Sequence, residues 1–551
     1  MALGANDSRV LLLAEAAFAK KSSLLNFWQS VAENHYPERA DFTRLKQQDE
    51  DMTSQLYSSE PILFRREFGN FIGAALRPKG KDWFGVQVAD IRLRKRKLPR
   101  VEQALIDTRD TLRGLMYNRK SGYTRAMTTA DHDYATFGNC VGSVEPRPTL
   151  DGLRYRTWHL RDCAWLENYD GEVDTIFRKF QVTAQNLVAE GKKRGWNVSD
   201  KVRDALDKTP QKEFECMHVQ MPLLNYDPKN KTKMEWVSIY LDVTNKELLS
   251  MKPCPEFNYF VDRWFLLDGS QYAVSPCVIC SLPDSRTLQV MTWSIMEAGE
   301  KAVEPPMIAR GGTAIIGGID IRAAGVTWVD KNYDERNGEV IRALEMGGQP
   351  QFGEALREAL RQNLNSAWFL NKLYMPQTYD KTAYEAQRLH EEFLRSAQPI
   401  MEPAEAERNG NHLEVTMTIA ARLGLLGTGK DLPEELRGRD VEFIYDNPLE
   451  DARKQAATFA YKSAAEINEI AGKQTPEVLK NYDGNQAYRD AIAGVAPPNW
   501  LRDPDEADEE VQEAKDEQGD MKAMGDLAAL TSIQQGMAPK GAPAPMPKVA
   551  A

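Results

Sequence analysis

Residues 284–306 read DSRTLQVMTWSIMEAGEKAVEPP, and the segment they open decides the architecture. Asp284 and Ser285 offer N-caps for a helix over Arg286 to Val303, which Pro305-Pro306 stops. Residues 307–348 turn glycine-rich, with Gly311, Gly312, Gly317, Gly318, Gly325, Gly347 and Gly348. Two short β-prone pieces, Thr313 to Ile316 and Val326 to Val329, sit among those glycines. A helix then returns over Phe352 to Leu370. Leu356, Leu360, Leu364 and Trp368 recur at i+4 in it, as one apolar stripe. Asn371 to Lys381 is a polar, proline-containing gap. After it, Thr382-Ala383-Tyr384-Glu385 supplies a capping box for a helix through Leu389, Phe393 and Leu394. The order is helix, small β excursion, helix, loop, long helix. A short glycine-rich β piece buries no core alone, so this one needs neighbouring copies to complete it.

On the N-terminal side, Ser8 is an N-cap for a helix toward Glu33, and Pro37 disfavours helix at Tyr36. A second helix spans about Glu60 to Leu76. Trp83 to Val88 alternates like a strand. Between 137 and 265, Gly138, Gly142, Gly152 and Gly171 punctuate β-type runs at Tyr155 to Trp158, Val173 to Phe180 and Met234 to Leu241. A helix over Thr183 to Arg194 interrupts them. On the C-terminal side, the chain is helical and alanine-rich from Leu449. Residues 501–520 carry ten acidic and two basic side chains. Met537 to Ala551 is Pro/Ala/Gly-rich, a composition that does not fold by itself. The fold class read from this order is α+β, mainly helical.

A chain of 551 residues with 42% apolar residues can bury a large core. No apolar run approaches the roughly 18–20 residues of a membrane span. Val10 to Ala19 is apolar, but Asp7 precedes it and Lys20-Lys21 follow, the reverse of a secretory signal. The six cysteines are sparse and fit free, buried thiols. A net charge of −11 argues against a protein that clamps DNA over its whole surface, because such binders neutralise phosphates with Lys and Arg.

Enzymatic signals are weak. Gly424-Leu425-Leu426-Gly427-Thr428-Gly429-Lys430-Asp431 fits the phosphate-loop pattern up to Lys430, but Asp431 stands where a hydroxyl must meet Mg²⁺. It also follows a helix-like run, so it reads as a helix terminus and turn. Cys277 and Cys280 have metal-ligand spacing without a second pair. Asp131-His132-Asp133 reads as a solvated loop or helix face. The basic run Arg92, Arg94, Lys95, Arg96, Lys97 and Arg100 suits either a solvated loop or contact with DNA or a neighbour's acidic face. No catalysis, metal or cofactor is expected.

The order of several segments resembles the head-to-tail connecting (portal) proteins of short-tailed bacteriophages. They are Tyr36-Pro37 with Trp83-Phe84, Trp236 to Tyr240 with Arg263-Trp264, Tyr272 through Leu282-Pro283-Asp284 to Pro305-Pro306, and Lys381 to Ala386. Ala273 stands where such proteins often carry glycine. The resemblance implies a ring, usually of twelve subunits, at one capsid vertex. It makes residues 1–283 an N-terminal wing, 284–303 a first stem helix and 304–348 a clip. A second stem helix follows at 349–370, then a tunnel loop at 371–381 and a long wing helix with its return at 382–448. Residues 449–515 become a crown and 516–551 a disordered tail. It places Lys372, Tyr374 and Lys381 at the DNA channel and Arg310 and Arg322 on the docking surface of the clip. The implied partners are double-stranded viral DNA, the terminase large subunit, tail adaptor and nozzle proteins, and the major capsid and scaffolding proteins. No membrane is implied. The implied location is the virion, after assembly in the host bacterial cytoplasm. The competing readings are a packaging ATPase built on the Gly424 region, or another structural virion protein such as a tail adaptor or capsid protein.

Overall fold

The first helix shows how local chemistry sets the framework. In α1 (Ala5–His35) the Asp7 carboxylate accepts the Gly4 amide at 3.1 Å, so the helix starts three residues before Ser8. Pro37 ends it as expected, because its ring disfavours helix at Tyr36. The computed structural model describes residues 3–44, 50–94, 99–230, 232–303, 307–309, 315–316, 328–329, 341–343, 350–373, 383–427, 433, 436, 440–445, 458, 460–470 and 484–492. It divides into a unit up to Leu449 and a second unit from Glu450. In the second, Gly484–Ile492 is helical, and Tyr461 packs edge-on against Tyr488.

After α1 come α2 (Glu60–Leu76), β1 (Phe84–Val88), the short α3 (Ile91–Arg94), α4 (Pro99–Met116) and α5 (Tyr123–Phe137). The β-rich stretch follows: β2 (Asn139–Pro146), β3 (Leu153–Trp158), β4 (Cys163–Glu167) and β5 (Val173–Thr183). Then come α6 (Ala184–Arg194), α7 (Asp200–Lys208), β6 (Glu213–Pro222), α8 (Leu223–Tyr226), β7 (Trp236–Asp242), β8 (Glu247–Cys254) and β9 (Tyr259–Arg263). Strands β4 to β8 form an antiparallel meander in chain order. Val237, Ile239 and Leu241 alternate inward on β7 and meet Val10, Leu11, Ala14 and Ala17 of α1. A second sheet has the order β3-β2-β9. The Thr183 hydroxyl caps α6 by accepting the Asn186 amide.

The pair β10 (Phe265–Leu266) and β11 (Ala273–Val274) leads into α9 (Pro276–Val303). This helix begins ten residues before the expected Arg286, with Pro283 inside it. Asp284 and Ser285 are therefore not caps. Ser281 and Ser285 turn inward to the His35 ring, both at 3.3 Å. Burial of Cys277, Val278, Leu282 and Leu288 on the same helix favours helix strongly enough to offset the missing Pro283 amide.

Beyond α9 are the short strands β12 (Met307–Ala309), β13 (Ile315–Ile316), β14 (Trp328–Val329) and β15 (Ile341–Ala343), then α10 (Pro350–Ala367) and α11 (Leu370–Leu373). Next is α12 (Ala383–Glu405), which passes through a π-helical turn, Ala406–Gly410, into α13 (Asn411–Arg422). Strand β16 (Val441–Tyr445) returns to pair antiparallel with β1. Helices and antiparallel sheet are thus mixed, with helix predominating, as the sequence implied. Thr382 of the expected capping box lies outside the described residues.

Gly138 ends α5 with φ +71°, and a Cβ there would stand 2.2 Å from the Val274 carbonyl carbon. Both the left-handed backbone and the close approach demand glycine. Lys21 is fully buried. Its ammonium donates to the Leu160, Arg161 and Cys163 carbonyls, and burial lowers it to about 8.

Candidate functional site

Two structures draw the long-range elements together. The first is the pair α9 and α10. Near the start of α10, Gly353 approaches the Ile295 side chain of α9. At its far end Trp368 packs on His35, the same ring that Ser281 and Ser285 of α9 hold. The two helices therefore run antiparallel. The apolar stripe of α10 is buried unevenly. Leu364 and Trp368 are fully buried, Trp368 among α1, α2 and α5 residues, while Leu356 is 45% exposed. On α9, Val290, Trp293 and Met296 are 63%, 47% and 53% exposed.

Between these helices β12 pairs with β15, and β13 pairs with β14 inside it, both antiparallel. The nesting places two short hairpin-like ladders where the glycine-rich excursion was expected. Thr313, Ala314, Val326 and Thr327 of those expected pieces lie outside the described residues, as do Arg310 and Arg322. Phe369, with φ +55°, breaks the chain between α10 and α11. Asn371, Lys372 and Leu373, the first residues of the expected loop, are helical in α11. Tyr374 and Lys381 lie outside the described residues.

The second structure is a buried cluster of charge that the sequence reading missed. Arg408, in the π-helical turn, has no exposed surface. Its guanidinium donates to Asp131 Oδ1 at 2.7 Å and to Asp262 on β9. Arg77 at the end of α2 pairs with the other oxygen of Asp131 and donates to Asn409 Oδ1 at 2.9 Å. Asn411 donates to Asp262 Oδ1 at 3.0 Å. One residue on, His412 meets Tyr123 at 3.0 Å, and Tyr155 meets Thr416 at 2.9 Å. Burial pushes the Asp262 carboxyl up, against the pull of Arg408.

Asp131-His132-Asp133 is thus not a solvated face. Asp131 and Asp133 are buried on α5, and Arg39 binds Asp133 through two hydrogen bonds. His132 lies beside Arg65, and burial lowers it to about 4. The available signal was three polar residues inside an apolar-periodic helix, with arginines spread elsewhere in the chain. Spacing alone does not say which arginine arrives.

The other motifs resolve into local structure. Cys277 is buried, but Cys280 is exposed, one turn on. Among the described residues no group of His, Cys, Asp or Glu could hold a metal ion. The Gly424 region does follow a helix, with Gly424 at φ +69° and Gly427 at φ +92°; residues 428–432 lie outside the described ones. Arg92 and Arg100 are exposed, and 95–98 are not described. Among the described residues no helix is long and apolar enough to cross a membrane.

Comparison with known proteins identifies the family. The family described as bacteriophage head to tail connecting protein matches residues 8–499. The chain belongs to this family. A relative named "Probable portal protein", from Bordetella phage BPP-1, is 24% identical over 400 residues, covering 70% of this chain and 69% of its own. "Portal protein" of Salmonella phage epsilon15 is 25% identical over 345 residues, 59% of each chain. A head-to-tail connecting protein is a structural part of the phage particle and not an enzyme. The matched span includes the helix pair, its strand ladders and the buried charge cluster.

Proposed function

We propose that this connector forms a ring at one vertex of the capsid, through which double-stranded viral DNA is packaged and later ejected. The observation that carries the reading is the antiparallel α9–α10 pair with nested strand ladders between its far ends. Such a pair takes the chain out to a small β element and back. Its Val290, Trp293 and Met296 are apolar side chains that one chain leaves uncovered, and neighbouring copies in a ring would cover them. In this reading α9 and α10 are the stem, 304–348 the clip, 371–381 the tunnel loop and 449–515 the crown. The ring has twelve subunits.

The clip docks the terminase large subunit during packaging and the tail adaptor and nozzle proteins afterwards, with Arg310 and Arg322 on its surface. Lys372, Tyr374 and Lys381 face the DNA. Major capsid and scaffolding proteins surround the ring, which assembles in the host bacterial cytoplasm. The net charge of −11 suits a conduit that DNA slides through.

Negative-stain images of the purified protein test the reading. Rings with a central hole are expected, and closed or sheet-like assemblies without a channel would overturn it. ATP hydrolysis by the protein, lost on Lys430→Ala, would also overturn it. Within the ring, Lys372→Glu with Lys381→Glu should assemble normally but package or retain DNA poorly. Deleting residues 310–330 should abolish terminase or adaptor docking.

A further inference from the structure

We propose that the cleft between the start of α5 and strand β3 binds phosphates of double-stranded DNA, a second contact outside the tunnel loop. The inference rests on the conduit reading above. The cleft has a volume of about 540 Å³. Lys120 enters it just before α5, Arg125 from the first turn of that helix, and Arg154 and Arg156 from β3. Positions 154 and 156 share one face of the strand, their backbone positions about 6.6 Å apart along it.

These four cations have no ion-pair partner among the described residues. The nearby acids are engaged or too far away. Asp133 is held by Arg39 at the back of the cleft, and Asp151 by Arg147 at 3.2 Å and by Thr149. Glu145 faces Arg154 in the β2–β3 register without reaching it, and Glu190 is bound by Arg194. Asp151 and Glu190 act on Lys120 and Arg154 only from a distance, and among the described residues no carboxylate pairs directly with any of the four, so the cations repel one another and a polyanion relieves that repulsion. The start of α5 adds to the field. Gly122 is its N-cap and offers no capping side chain; Ser121 Oγ accepts the Tyr123 amide at 3.2 Å, and the positive end of the helix dipole remains beside Lys120 and Arg125.

The lining distinguishes the ligand. Ala126 and Tyr155 lie buried beneath the cations, 6% and 3% exposed, so no apolar core is offered to a docking protein. Single-stranded nucleic acid is bound by stacking bases on free aromatic faces. The one aromatic ring at the rim, Trp158, already carries Arg178 at 3.9 Å and Arg156 at 5.6 Å. What remains is charge and hydrogen bonding without stacking, which is how a duplex backbone is held.

The test uses full-length protein and a short labelled duplex, with affinity measured by fluorescence anisotropy across a salt series. Combining Arg125→Ala, Arg154→Ala and Arg156→Ala should weaken binding about tenfold or more at moderate salt. It should also flatten the slope of log affinity against log salt by about 2.7, that is 0.9 for each of three lost phosphate contacts. The triple lysine variant should keep most of the affinity. In unmodified protein, duplex DNA should protect Lys120 from acetylation, read by mass spectrometry, while polyglutamate should not.

Unchanged duplex affinity in the alanine variant, unprotected Lys120, or protection by polyglutamate alone would overturn the proposal. Rings that form and pass DNA while the alanine variant binds duplex normally would overturn the cleft and leave the conduit standing. Loss of duplex binding in the alanine variant of a protein that forms no rings would support the cleft and overturn the conduit.

Discussion

Around Arg408 every charge is met inside the chain; along the far half of α9 and α10 the apolar side chains are not. Arg408, Arg77, Asp131, Asp262, Asn409 and Asn411 join α2, α5, β9 and the π-helical turn into one hydrogen-bonded cluster. On the helix pair, burial fades from Trp368, fully covered, to Leu356 and Trp293, about half exposed. The first region is finished within a single chain. The second stays open among the described residues of one chain. Under the ring reading proposed above, this division separates a rigid frame from the surface on which assembly acts.

The sharpest way to break the comparison is to remove the frame's central cation. Arg408→Ala leaves Asp131 and Asp262 buried with a lost partner, and should cost about 3–5 kcal/mol of protomer stability by chemical denaturation. A loss under about 1 kcal/mol would mean that the cluster does not hold these elements together.

Acid should attack the covered end of the helix pair. His35 is buried neutral, and burial lowers it to about 4 from the ordinary 6.5. The unfolded chain binds that proton first, so stability is whole above pH 6.5 and falls as pH drops toward 4. The fall is about 3 kcal/mol from this group, at 1.36 kcal/mol per unit. Unfolding free energies across that range should slope less in His35→Gln than in the parent protein. Equal slopes would remove His35 from the account.

Gly138→Ala should cost about 2 kcal/mol, because a Cβ strains the left-handed backbone and meets Val274. A neutral effect on the melting temperature would show that α5 can shift against β11.

The helix pair should behave in the opposite way. Trp293→Glu lies on an exposed position and should change protomer stability by no more than about 0.5 kcal/mol. It should nevertheless abolish rings in negative stain, as charge enters a face that neighbours cover. Normal rings would place the uncovered stripe outside the subunit contacts.

Much of the fold was legible in sequence, for identifiable reasons. Helix α2 occupies the expected Glu60 to Leu76, and α6 starts after the expected Thr183, because caps, prolines and periodicity act within a few residues. The start of α9 was not legible. Pro283 and the Asp284-Ser285 pair look like a boundary, and only the cover provided by α1 and α5 makes helix the better state there. Asp131 and Asp133 look like surface residues for a similar reason. A charge is read as solvated until its partner is known, and Arg408 lies 277 residues from Asp131 in the chain.

The sequence by itself determined the order helix, glycine-rich strands, helix, and with it the family to which the chain belongs. These signals are local, written in the period of apolar residues and in the backbone limits of glycine and proline. Only the tertiary structure decided which arginine meets which aspartate, and that Lys21 caps three carbonyls from inside the core. It also decided that α9 and α10 keep an uncovered apolar face and that four cations share the cleft beside β3. Those facts depend on which distant segments come together, and neither spacing nor composition records that.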